Sequence, residues 1–93
     1  MKYLVGIMLS FVAGAVASAA PAAASEDEFV RELQTRYAFL TDQQLRAEGA
    51  KICGVLGGGT PASDAVAMVR DDLGVSVSAA GEIVSAAVVQ LGC

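Results

Sequence analysis

Cys53 and Cys93 are the residues whose chemistry is most constrained by type and number, because they are the two cysteines of a 93-residue chain. A redox couple usually sets its thiols close together, as in C-x-x-C, with a helix N-terminus lowering one thiol pKa. These two have neither that spacing nor that placement, since Cys53 falls well inside a helical pattern. In an oxidising compartment they are expected to form one structural disulfide.

The other candidates are carboxylates, for the chain has ten acidic and six basic side chains and no His. Lack of His removes Ser/His/Asp and Cys/His nucleophilic machinery and His-based zinc sites, leaving carboxylate-only chemistry open. Glu26-Asp27-Glu28 falls at the start of a helical pattern, where acids complement the positive end of the dipole. Asp71-Asp72 falls near the end of another, where the dipole is adverse. Either that helix stops before them or they serve a contact, and Arg70 and solvent favour plain surface charge. No run of acids has calcium-loop spacing. Gly57-Gly58-Gly59-Thr60 invites comparison with a phosphate cradle, but the Walker pattern needs a Lys after its last Gly, and here Thr60-Pro61 follows. A loop and helix cap is the preferred reading. Tyr37 and Phe39 are assigned to core or loop packing. No catalytic, cofactor-binding or metal-binding residue is assigned, and no cofactor is implied.

The elements that would position these residues come from two dissimilar stretches. Residues 1–24 contain one charge, Lys2, and 18 apolar residues, whereas residues 25–93 contain 15 charges with a net of −5. A basic start, an apolar stretch and a small-residue tail are the layout of a secretory signal peptide. Cleavage is expected after Ala24, with Ala19 as the alternative. Residues 3–24 are also long enough for an uncleaved anchor, although their second half is Ala, Gly, Ser and Pro rather than Leu and Ile. The acidic remainder disfavours nucleic acid and anionic lipid, so membrane contact is expected only through a retained signal segment.

Residues 25–93 show four helical periodicities and no convincing strand alternation, so the fold class is all-α: a small four-helix domain with one disulfide. The first helix is expected to open at Ser25, with Glu28 as the reciprocal cap, and to bury Val30, Leu33, Tyr37 and Leu40, with Phe29 widening the stripe. The second opens at Thr41 with Gln44 three residues on, and places Leu45, Gly49, Ile52 and Leu56 on one face. It stops at the glycine run. The third is expected to use Thr60 as cap and Pro61 as first helical residue, to bury Ala65, Val66, Val69 and Leu73, and to end at Gly74. The fourth is expected from near Ser78, with Ala80, Ile83, Val84, Ala87, Val88 and Leu91 on a single face and Val89 outside it. Gly49, Ala80 and Ala87 are small enough to permit the close helix approach that a Cys53–Cys93 bond requires.

Three segments together suggest a family: Asp27-Glu28-Phe29-Val30, Gly49-Ala50-Lys51-Ile52-Cys53-Gly54-Val55-Leu56 before the glycine run, and Ala86-Ala87-Val88-Val89-Gln90-Leu91-Gly92-Cys93. They resemble the small secreted mycobacterial proteins grouped as domain of unknown function 732. That resemblance implies helical character and export, and it supplies no catalytic or binding residue. The expected role is a non-catalytic binding or interaction module, secreted or in the cell envelope, whose partner is an unknown protein or small apolar ligand. The alternatives are a signal-anchored envelope structural protein and a small carboxylate-based hydrolase.

Overall fold

Thr41 begins its helix as its spacing to Gln44 requires. In a computed structural model, which describes residues 20–93, the Thr41 side chain accepts from the Gln44 N–H at 3.0 Å while the Gln44 side chain accepts from the Thr41 N–H at 2.9 Å. The helices are α1 (Ala20–Arg36), α2 (Asp42–Gly57), α3 (Ala62–Leu73) and α4 (Val77–Ala86), and α4 runs on into a π-helical turn, Ala87–Leu91. The described residues contain no strand. The expected signal segment lies largely outside the described residues.

Three helix starts differ from expectation. α1 begins at Ala20 rather than Ser25, because alanine has the strongest helix propensity and lets the helix extend back through the Ala-rich stretch. Glu26, Asp27 and Glu28 therefore sit beyond the first turn and do not cap it. α3 is capped by Pro61 instead of Thr60. Pro61 is extended at ψ 148°, and its carbonyl accepts from the Asp64 and Ala65 N–H groups. Thr60 donates its own N–H backward to Val55 at 3.0 Å, completing the end of α2. α4 starts two residues early, with the Ser76 hydroxyl accepting from the Ala79 N–H at 3.1 Å. Gly74 ends α3 in the left-handed region at φ 65°, a conformation glycine adopts without a Cβ clash.

The core draws on every helix: Phe29, Val30 and Leu33 from α1, Leu45 and Ile52 from α2, Ala65 and Val69 from α3, and Ala80, Ile83 and Val84 from α4. Leu40 from the α1–α2 turn and Ala87 from the π turn complete it. α3 and the α4–π rod diverge by 113°. α4 packs mainly on α3, and the π turn packs on both α1 and α2. Among the described residues no single helix is long and apolar enough to cross a membrane.

Candidate functional site

The C-terminal rod is held by a covalent bond, a close packing contact and a hydrogen bond. Cys53 on α2 and Cys93 lie at bonding distance, with sulfurs 2.06 Å and Cα atoms 5.2 Å apart. One helical turn before Cys53, Gly49 is buried where a Cβ would come within 3.0 Å of both Leu91 Cδ1 and Phe29 Cε2. Glycine there is what lets the π turn and α1 close on α2 together. Gln90 also donates to Glu32 of α1 at 2.7 Å.

The π turn explains why one expected core residue is outside. An i→i+5 turn is wider than an α turn, so residues beyond Ala87 lose the α register. Ala87 stays fully buried and Leu91 reaches Gly49, but Val88 is 44 % exposed rather than on the buried face. Val89, expected off that face, is 77 % exposed.

The acids singled out by sequence serve contacts within the chain. Glu26 and Asp27 meet Arg46 of α2 at 2.6 and 2.7 Å, and Asp42 meets the same guanidinium at 2.6 Å. The hydrogen bonds that Arg46 donates to Asp42, Asp27 and Glu26 raise its pKa further above its ordinary value. Glu28 pairs with Arg31 instead. α3 does not stop before Asp71-Asp72. Asp71 pairs with Arg70 at 3.0 Å, and Asp72 reaches Lys51 of α2 at 2.7 Å, so the adverse dipole is offset by neighbouring cations.

Two charge clusters escaped the sequence reading. At the end of α1, the Tyr37 hydroxyl donates to Glu82 at 2.6 Å and Arg36 donates to the same oxygen at 2.8 Å. These bonds hold the Glu82 carboxyl below its ordinary range and raise the Tyr37 hydroxyl. The second is Glu48, buried on α2 beside Asp72 and Lys51. Its signal was present: Glu48 sits three residues after Leu45 and four before Ile52, on the buried stripe, where a carboxylate demands explanation.

The glycine run forms no anion cradle. The N–H groups of Gly58, Gly59 and Thr60 are directed back to carbonyls of α2, at 3.1, 3.1 and 3.0 Å. Phe39 lies edge-on to Tyr37, ring centroids 6.3 Å apart, and remains 68 % exposed.

Clefts on the surface of the described residues include three of note. The largest of these three, about 560 Å³, runs between α1 and the α4–π rod, lined by Glu32, Arg36, Ser78, Gly81, Glu82, Ser85, Ala86, Val89 and Gln90. A second, about 410 Å³, lies over Phe29, Gly49, Cys53 and Leu91 with Ser25, Glu26, Arg46 and Ala50 around it. The third, about 270 Å³, is bounded by Arg46, Asp42, Asp27, Val30, Arg31 and Gln34. Among the described residues no group of three or more Cys, Asp or Glu side chains is arranged to hold a metal ion.

Residues 24–93 match the model of a family described as protein of unknown function, DUF732. No curated protein and no solved structure matches the chain.

Proposed function

Because the chain belongs to the DUF732 family, which supplies no activity, we propose from its geometry that it is a non-catalytic interaction module, exported and disulfide-tied, that holds its partner in the α1/rod groove. The carrying observation is the 560 Å³ groove itself, with Val89 77 % exposed at its wall. Its volume falls within the range of small-molecule pockets. Gly81, Ser85 and Ala86 keep its wall low, so an apolar side chain or small apolar ligand can approach the rod closely. Glu32, Arg36 and Glu82 supply a polar rim, the usual anatomy of a recognition surface.

Two features favour binding over catalysis. The chain has no His to serve as general base. Its one buried carboxyl among the described residues, Glu48, lines none of the three clefts described above, and neither does its neighbour Asp72. A carboxylate hydrolase needs two acids facing a substrate, so that alternative has little support.

Photo-reactive residues placed at positions 85 and 89, with position 64 on α3 as control, test the groove in envelope extract and culture fluid. A discrete adduct of the same mass at 85 and 89, absent at 64, supports the proposal. Equal labelling at all three positions, or none at 85 and 89, removes it. Export is checked by the N-terminal sequence of the natural protein: a start at Ser25 or Ala20 agrees with the proposal, whereas retention of residues 1–24 favours the anchored alternative.

A further inference from the structure

Glu48 is the one charged side chain that is buried among the described residues, at 6 % exposure. Its Oε2 is sealed from solvent and no N–H or O–H donor reaches it, an arrangement that is costly for an ionised carboxylate and that a proton shared with Asp72 would relieve. It faces Asp72 across the α2–α3 boundary, and Asp72 is in turn held by Lys51 at 2.7 Å. Asp72 from α3 and Lys51 from α2 are the charged groups acting on it, with no contribution from α1, α4 or the π turn. The one ammonium is thus paired with Asp72, and Glu48 feels it only through its charge. No third ligand is placed for a metal ion, so the occupant that would balance the charge is a proton.

We propose that this cluster is a proton-dependent latch between α2 and α3. With Glu48 protonated, its O–H donates to Asp72 and the two helices close. With Glu48 ionised, its buried carboxylate confronts that of Asp72 at the edge of the boundary, and the last turn of α3 loosens. The latch is independent of what the groove binds.

Burial, then the hydrogen bond to Asp72 and its charge, push the Glu48 carboxyl up from the ordinary 4.5 to about 7, with Lys51 opposing. Bonds to Lys51 and Glu48 hold Asp72 below its ordinary value. The sign follows from proton binding. Between the unfolded and folded Glu48 values the native state holds the proton and the unfolded state does not, so stability falls as pH rises through that window. Below it both states are protonated and the burden is absent; above it both are ionised and the burden is complete. Asp72 acts in the opposite sense, but only at lower pH. With no His in the chain, few other side chains obscure the window.

Urea unfolding of the disulfide-bonded protein between about pH 5 and pH 8 tests the latch. The folding equilibrium constant of wild type should fall by about an order of magnitude or more across that interval. Glu48→Gln, neutral and of the same shape, should flatten the curve and be the more stable protein at pH 8. Asp72→Asn should lower the titration midpoint of Glu48 without returning it to the ordinary value, because burial persists. Carbon-13 NMR titration of the Glu48 carboxyl in wild type decides independently of whether either variant folds. A midpoint in the ordinary carboxylate range, or parallel curves for wild type and Glu48→Gln, would overturn the proposal.

Discussion

Replacing both Cys53 and Cys93 by serine removes the one covalent restraint while leaving no free thiol to form adducts. The bond closes a loop of sequence separation 40, and the chain-entropy relation assigns about 4 kcal/mol to a loop of that length. Against this stands a slight core: of the twelve buried apolar residues among those described, three are alanines, Ala65, Ala80 and Ala87. A domain of this size rarely gains more than about 3–5 kcal/mol from its core. Loss of the bond should therefore leave folded and unfolded chains at comparable populations near 25 °C, with Tm lowered by roughly 15–30 °C. Reversible urea and thermal melts followed by circular dichroism measure both quantities, and the urea slope shows whether cooperativity survives. Coincident melts for variant and wild type would refute the reasoning. So would a variant that loses amide protection only in residues 87–93, since the bond would then secure the rod's end rather than the whole bundle.

Gly49→Ala should destabilise by about 1–2 kcal/mol, because the new Cβ meets Leu91 and the buried Phe29 ring at 3.0 Å and this overpacking exceeds the helix-propensity gain. Gly54→Ala, where a Cβ meets nothing within 4 Å, should instead stabilise by about 0.5–1 kcal/mol; urea midpoints of the two variants moving in the same direction would contradict this. Thr41→Ala removes the side-chain half of the capping box and should cost about 1 kcal/mol, read as a lower urea midpoint with an unchanged slope. Arg46→Gln leaves Glu26, Asp27 and Asp42 without their shared cation, so its Tm deficit should be larger in dilute buffer than in about 1 M salt. A salt-independent deficit would assign Arg46 a packing role instead.

Features fixed by near neighbours were legible in the sequence. Thr41 and Gln44 lie one turn apart and cap each other wherever the chain goes, and Gly74 ends α3 because glycine tolerates positive φ. With two cysteines in the chain only one pairing was available. The misplaced starts at Ser25, Thr60 and Ser78 arose from competition among adjacent cap residues, in which alanine propensity, the extended Pro61 and the Ser76 hydroxyl prevailed.

Which helix faces meet is a different matter, settled by packing between residues distant in sequence. The sequence alone could place Glu48 on the apolar stripe of α2, but not opposite Asp72. It could mark Glu26 and Asp27 as helix-start acids, but not as partners of Arg46. The π turn likewise belongs to no local pattern: its wider register leaves Val88, expected on the buried face, outside. Composition and short-range spacing determined four helices, the Thr41 and Gly74 caps and the single disulfide pairing, because those depend on torsions and hydrogen bonds within a turn or two or on residue count. The groove, the Glu48–Asp72 pair and the exposure of Val88 were decided by tertiary structure, because each exists only where two helices meet at a particular rotation.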